Sequence, residues 1–148
     1  MPSPHAVDIV DETFIVADPA TVAAVVADPA SWRRWWPDLR PEVTRDRGVK
    51  GMQWAVRGAV VGSMEIWLEP YGDGVIVHYF LRADPPDGSR TGLPRGAARL
   101  AGRRTVAWKR HVHALKDRLE AGREPGAPRV VAAEVAAVKE PAKPAESP

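Results

Sequence analysis

The sequence contains no cysteine among its 148 residues, so a disulfide framework and a thiolate metal site are both excluded. Histidine is also scarce, and two of the four histidines, His111 and His113, lie two positions apart on a predicted helix. Side chains at that spacing point about 200° away from each other, so they do not share a metal ion. No metal or other cofactor is expected.

Long apolar runs and catalytic signatures are missing as well. No stretch approaches the roughly 18 uncharged apolar residues that span a bilayer, and residues 1–16 lack the basic start and apolar run of a secretory signal. A cytoplasmic location is therefore expected. No serine lies in a G-x-S-x-G context, and no Gly-rich loop precedes a helix in the phosphate-binding pattern. Hydrolase chemistry and nucleotide binding have no support.

Positive charge is concentrated in one segment. The formal net charge of the chain is +2, but nine basic and only two acidic residues lie between Arg95 and Arg123. This pattern predicts a basic helix on an otherwise acidic domain. It is typical of a solvated helix face, or else of peripheral contact with an anionic surface. Nucleic-acid binding is the weakest interpretation, because base-stacking aromatic residues do not alternate with these cations.

The first third of the chain predicts one strand and two short helices. Val7 to Ala17 is rich in β-branched residues and alternates loosely, which favours a strand. Asp18 and Pro19 then provide a cap and a first residue for a short helix. A second short helix is predicted from Ala30 to Trp36, where Pro37 stops it.

The middle of the chain has the period of β-strands. Pro41 to Arg47, Gly51 to Arg57 and Ser63 to Tyr71 are predicted strands, with glycines marking the turns between them. The tetrapeptide Tyr71-Gly-Asp-Gly74 predicts a hairpin with a two-residue loop. That loop fixes a register that places three apolar pairs on one face of the sheet: Leu68 with Val77, Ile66 with Tyr79, and Met64 with Leu81.

A long amphipathic helix is predicted after the loop from Asp84 to Pro94. It extends from about Arg95 to Ala121 and is closed by Gly122. One stripe of this helix is apolar and is expected to lie on the inward face of the sheet; it consists of Ala97, Ala101, Trp108, Val112, Leu115 and Leu119.

The domain boundaries follow from composition. Residues 1–6 are assigned to an N-terminal extension and residues 7–122 to a single domain. Residues 123–148 are rich in proline and alanine and contain no aromatic residue, so a mostly disordered tail is expected there.

The predicted order of elements resembles the START-like (SRPBCC) superfamily, particularly its polyketide cyclase/dehydrase and lipid-transport family. The likeness is carried by FIVADPATVAAVVADPASWRRWWPDL (Phe14 to Leu39), by GSMEIWLEPYGDGVIVHYFL (Gly62 to Leu81) and by the terminal helix. The resemblance implies an α+β helix-grip fold, in which a curved antiparallel sheet wraps around a long C-terminal helix. Because Arg40 to Asp84 has room for only four strands, about five strands are expected in place of the family's usual seven, with a smaller or more open pocket.

Aromatic and sulfur-containing side chains converge on the predicted inward faces. Such a set suits either a solid core or a pliable pocket, and the resemblance favours an apolar pocket between the sheet and the C-terminal helix. Tyr79 is the predicted inward residue with a polar group. The candidate ligand-binding residues are Trp32, Trp36, Met52, Trp54, Met64, Ile66, Tyr79, Trp108 and Val112.

Three functions are compatible with this pattern. Binding or transport of a small hydrophobic ligand, such as a lipid, an isoprenoid or a polyketide-like molecule, is the first. The second is a non-catalytic interaction protein or subunit of a larger assembly, which would use an outward apolar patch of Trp67, Ile76 and Phe80 to form a homodimer or to bind a protein partner. A polyketide cyclase/dehydratase-type enzyme is the weaker alternative, because the inward faces show no clear general acid or base and no catalytic residue is assigned.

Overall fold

The computed structural model describes residues 5–86 and 94–123. Five strands form one antiparallel sheet with the order β1-β5-β4-β3-β2, as the five-strand prediction requires. The bounds of the strands are β1 Val7–Ile15, β2 Leu39–Asp46, β3 Gly51–Gly58, β4 Val61–Tyr71 and β5 Gly74–Asp84. The first strand therefore pairs with the last, and β1 and β2 are the two edges of the sheet.

Two short helices lie between β1 and β2. They are α1, Pro19–Val26, and α2, Pro29–Trp35. Each begins with proline after an aspartate cap, since Asp18 and Asp28 each accept a backbone N–H bond of 2.9 Å from the residue two positions on. The predicted end of the second helix at Trp36 is one residue late, because Trp36 is its C-cap.

The hairpin of β4 and β5 has the predicted register. Tyr71 pairs with Gly74, and Leu68 pairs with Val77 on the inward face. Gly72 has a φ of 53°, which the two-residue turn requires and which a glycine adopts without strain. A single 3₁₀ turn at Gly48–Lys50 connects β2 and β3.

The long helix α3, Pro94–Leu119, covers the inward face of the sheet. Trp108, Val112 and Leu115 of its predicted apolar stripe are buried, and Ala101 and Leu119 are partly buried against the same core. The α+β helix-grip architecture predicted from the sequence is therefore confirmed.

Some predictions lie outside the described residues. These are residues 1–4 of the predicted N-terminal extension, residues 87–93 of the predicted loop and the predicted tail from residue 124 onward. Within the two described ranges, no helix is both long and apolar enough to cross a bilayer.

Candidate ligand site: an interior aromatic cluster

Six aromatic rings meet between the sheet and α3. They come from α2 and its cap, from two strands and from the long helix, and we call them the aromatic cluster: Trp32, Trp35, Trp36, Trp54, Tyr79 and Trp108. Five of the six are buried, and Trp32 is half-buried at the end of the cluster.

Trp36 is the centre of the cluster. Its ring lies nearly parallel to those of Tyr79 and Trp108, with centroids 6.1 Å away in both cases. It meets Trp54 at a steep angle with a centroid distance of 5.2 Å. Tyr79 and Trp108 also stack directly, 4.3 Å apart. Such arrangements each add roughly 0.5–1.5 kcal/mol beyond simple burial.

The structure brings all nine predicted ligand-binding residues into one core. Met52, Met64, Ile66 and Val112 are buried against the cluster, and Trp32 packs on its edge. Their own side chains occupy the space between the sheet and α3. Any ligand that enters this space must move or lie beside these rings.

Two indole N–H groups inside the cluster are buried without a well-formed hydrogen bond to a described residue. Trp54 Nε1 meets no acceptor there, and Trp36 Nε1 faces the hydroxyl of Tyr79 without the geometry of a full hydrogen bond. A buried donor without an acceptor costs about 1–3 kcal/mol. The hydroxyl of Tyr79 donates to Met64 Sδ at 3.4 Å, and a thioether is a weak acceptor.

Burial keeps Tyr79 protonated. Desolvation raises the pKa of its hydroxyl far above the ordinary value, and the nearby charge of Arg104 and the indole of Trp36 offset only part of that rise. The hydroxyl is therefore a hydrogen-bond donor at physiological pH and not a base.

One inward residue was missed by the sequence analysis. Asp11 lies on the inward face of β1, where its side chain is only 9% exposed. Its carboxylate accepts bonds from Trp108 Nε1 at 3.1 Å, from Thr13 Oγ1 at 3.2 Å and from Lys109 Nζ at 2.8 Å. The signal was present in the strand itself, because Asp11 has the same parity as the inward residues Ile9 and Ile15. Asp11 ties the edge strand to α3.

A cleft of about 540 Å³ opens at the α2 end of the cluster. Trp32, Trp36 and Leu39 form its apolar wall, and Arg33 and Arg40 lie at its border. Through this cleft a molecule from solvent reaches the rings at Trp32, which is the only half-exposed member of the cluster in the described ranges.

The outward apolar patch predicted from the sequence is partly covered by neighbouring side chains. Trp67, Ile76 and Phe80 are each half-buried. The predicted pairing of Trp67 with His78 is present, and their rings stack 4.3 Å apart. His78 itself is only 7% exposed; its ring lies parallel to those of Trp67 and Phe80, and Glu69 and Glu12 lie 2.9 and 3.5 Å from its two ring nitrogens.

Side chains with larger exposed fractions surround that patch. Val10 is 61% exposed, Tyr71 is 63% exposed and Phe14 is 38% exposed, and all three lie on the same outer side of the sheet or at its hairpin end. The outer face of the sheet therefore leaves several apolar side chains partly open to solvent.

No protein-family model and no curated protein matches this sequence. Several solved structures do resemble the fold. The Aha1 dimer from Colwellia psychrerythraea is 16% identical with a TM-score of 0.54, covering 80% of this chain and 99% of that one. The protein DR_A0006 from Deinococcus radiodurans is 16% identical with a TM-score of 0.56, covering 78% of this chain and 98% of that one.

A third similar structure is DynU16, a protein in the dynemicin biosynthetic locus. It is 16% identical with a TM-score of 0.52, and the match covers 78% of this chain and 48% of DynU16. At these identities the likeness concerns the fold. Together with the sheet order and the terminal helix, it shows that this chain has the α+β helix-grip fold of these solved structures.

Proposed function

We propose that this protein binds a small hydrophobic molecule, such as a lipid, an isoprenoid or a polyketide-like compound, against the aromatic cluster. The observation that carries the proposal is the buried indole N–H of Trp54, which meets no acceptor among the described residues; the N–H of Trp36, which faces the Tyr79 hydroxyl without a full hydrogen bond, supports it. A ligand with a carbonyl, hydroxyl or ether oxygen would supply the missing acceptor. The nine predicted ligand-binding residues form the environment of that oxygen.

The energetics favour a ligand that is apolar with one acceptor. The rings and methionines around Trp36 offer apolar surface, whose burial contributes about 25 cal/mol per Å². Each satisfied indole donor removes a penalty of about 1–3 kcal/mol that the free protein bears. A saturated hydrocarbon gains only the first contribution, so it should bind more weakly than an oxygenated molecule of the same shape.

Binding without reaction is the function that this geometry supports best. An enzyme of the polyketide cyclase/dehydratase type needs a general acid or base at its ligand. Tyr79 is held protonated by burial, and the carboxylate of Asp11 is already occupied by three donors. Neither group is placed as a free base beside the cluster.

The test compares two naphthalene probes of similar shape, 2-acetonaphthone and 2-ethylnaphthalene. Only the ketone carries an acceptor, so saturable quenching of tryptophan emission should give it the lower Kd. Trp36→Phe and Trp54→Phe each remove one indole N–H while keeping an aromatic ring. Each variant should reduce the advantage of the ketone over the hydrocarbon.

Trp67→Phe is the matched control, because Trp67 lies on the outer face. It should leave the ratio of the two affinities unchanged. The proposal is wrong if neither probe binds the wild type, or if the ketone loses its advantage equally in all three variants.

The outer face supports a second candidate function, self-association or binding of a protein partner. Val10, Phe14 and Tyr71 are exposed around the Trp67, Ile76 and Phe80 patch, and one similar structure is described as a dimer. Sedimentation velocity on the wild type and on a Val10→Ser, Tyr71→Ser variant tests this alternative. A wild type that stays monomeric at high concentration and sediments like the variant contradicts self-association.

A further inference from the structure

A groove with an apolar floor and a cationic border lies where α2 meets α3. It consists of two adjoining clefts, both bordered by Trp35 and His111. The smaller cleft has a volume of about 240 Å³ and is bordered by Arg34 and Arg118. The larger cleft has a volume of about 540 Å³. We call the two together the junction groove.

The α3 side of the junction groove is a second stripe of the helix, which lies beside the stripe that faces the sheet and shares Leu115 with it. Its members recur at intervals of three and four residues, so they lie along one helical face; they are Leu100, Arg103, Arg104, Ala107, His111, Ala114, Leu115 and Arg118. At 1.5 Å per residue the stripe is about 27 Å long. Four apolar residues and three arginines are interspersed along it with His111, which gives the groove both an apolar floor and positive charge.

The positive charge of the groove is only partly neutralised. Arg104 makes a two-pronged ion pair with Asp38, with N···O distances of 3.0 and 2.6 Å. Arg34, Arg103 and Arg118, in contrast, make no ion pair with any residue in the described part of the chain. Guanidinium groups of this kind pair with carboxylates and phosphates through charge-assisted hydrogen bonds.

We propose that the junction groove binds a single-chain amphiphile with an anionic head group, a carboxylate or a phosphate monoester. The head group occupies the smaller cleft between Arg34 and Arg118, where no carboxylate of the described residues competes with it. The apolar chain lies in the larger cleft against Leu100 and Ala107. This site is distinct from the interior aromatic cluster and does not rest on the function proposed for it; only Trp35 belongs to both.

His111 gives the proposal a local reporter. Partial burial lowers the pKa of its imidazole, and the positive charges of Arg110 and Arg34 lower it further. Arg103, Arg118 and the Arg104–Asp38 pair also face the two clefts that His111 borders. An anion held beside Arg34 offsets this positive charge, so it raises the pKa of His111.

The test uses the full chain and four probes: dodecanoate, dodecyl phosphate, 1-dodecanol and inorganic phosphate, with each amphiphile below its micelle concentration. Calorimetric titration should show one site for dodecanoate and for dodecyl phosphate. Dodecanol has the chain without the charge, and phosphate has the charge without the chain, so both should bind at least tenfold more weakly. In an NMR titration, saturating dodecanoate should raise the pKa of His111, assigned with a His111→Gln variant, and leave the resonances of His113 unchanged.

An Arg34→Gln, Arg118→Gln variant should bind dodecanoate at least tenfold more weakly than the wild type. Arg45→Gln, Arg99→Gln is the matched control: it removes the same charge from exposed positions outside the groove and should stay within twofold of the wild type. All four arginines are exposed, so both variants should keep the melting temperature of the wild type.

Three results would overturn the proposal. The first is equal weakening in both arginine variants, which indicates nonspecific charge attraction. The second is binding to phosphatidylglycerol vesicles without binding to any free amphiphile, which indicates a membrane surface. The third is dodecanoate binding that leaves the pKa of His111 unchanged. Failure of the naphthalene probes at the interior cluster, by contrast, leaves these results unaffected.

Discussion

Replacing Asp11 should weaken the attachment of α3 to the edge of the sheet. In the wild type the carboxylate accepts the indole N–H of Trp108, whose side chain is 3% exposed, and pairs with Lys109. Asp11→Ala leaves the buried indole without an acceptor, at a cost of about 1–3 kcal/mol. The side chain of Lys109 is 36% exposed, so water solvates its ammonium group once the carboxylate is removed. Loss of this ion pair therefore adds no more than about 1 kcal/mol to the destabilisation.

The expected loss for Asp11→Ala is therefore about 1–4 kcal/mol in the free energy of unfolding. Asp11→Asn keeps an oxygen acceptor for Trp108 and removes only the charge, so about 1 kcal/mol should be lost. Urea denaturation followed by tryptophan fluorescence measures both values. A double-mutant cycle with Lys109→Met separates the ion pair from the indole bond.

Asp8→Ala provides the control on the same strand. Asp8 faces outward and lies 3.8 Å from the Nε of Arg82 in an exposed pair, so its removal should cost less than about 0.5 kcal/mol. If Asp11→Ala stays within 0.5 kcal/mol of the wild type, or if the two alanine variants lose equal stability, the inward role assigned to Asp11 is refuted.

Three further predictions concern other parts of the fold. Gly62→Ala should destabilise the protein by about 2–3 kcal/mol, because the added Cβ would lie 2.1 Å from a carbonyl oxygen of β5. Gly102→Ala in α3 should instead stabilise the protein by about 0.5–1 kcal/mol, because its Cβ meets nothing within 4 Å. Thermal melts of the two variants distinguish these opposite effects. Although partial burial opposes it, hydrogen bonding from Lys116 and from the backbone N–H just after β1 holds the pKa of Glu120 below the usual 4.5. The stability that ionised Glu120 contributes is present above that value and is lost as the pH falls through the folded-state pKa. Glu120→Gln should therefore lower the free energy of unfolding at pH 7 and make it depend less on pH in the acid range. Tyr79→Phe should cost no more than about 1 kcal/mol by urea denaturation, because the hydroxyl donates to a sulfur atom and meets the Trp36 indole without a full hydrogen bond. A larger loss would mean that the hydroxyl has a stronger partner.

Local chemistry made much of the fold predictable. The loop Gly72-Asp73 fixes the β4–β5 register because a two-residue hairpin allows few alternatives, and that register determines which side chains of both strands face α3. Asp18 and Asp28, each followed by proline, define where α1 and α2 begin. These signals depend on residues within a few positions of each other, so one sequence suffices to interpret them.

The site depends on contacts that are distant in sequence, and there prediction was incomplete. Asp11 was overlooked because a carboxylate is rarely placed inward unless its partners are known, and its partner Trp108 is 97 positions away. The environment of His78 on the outer face combines ring contacts with Trp67 and Phe80 and two glutamates on neighbouring strands. The charge pattern of α3 predicts a solvated face or contact with an anionic surface, since nothing local in the sequence indicates that α2 lies beside the helix and forms a groove with it.

The two proposed sites differ in what binding requires of the protein. The junction groove is open in the free chain, so an amphiphile enters it without separating packed rings. A ligand at the interior cluster must instead displace ring contacts around Trp36, each worth roughly 0.5–1.5 kcal/mol, and gain that energy back from its own burial and from the two indole donors. Near-UV circular dichroism, which reports the asymmetric packing of tryptophan, should therefore change strongly when 2-acetonaphthone binds and little when dodecanoate binds. A large change with dodecanoate that persists in the Arg34→Gln, Arg118→Gln variant would mean that the anionic amphiphile enters the interior and that the groove is not its site.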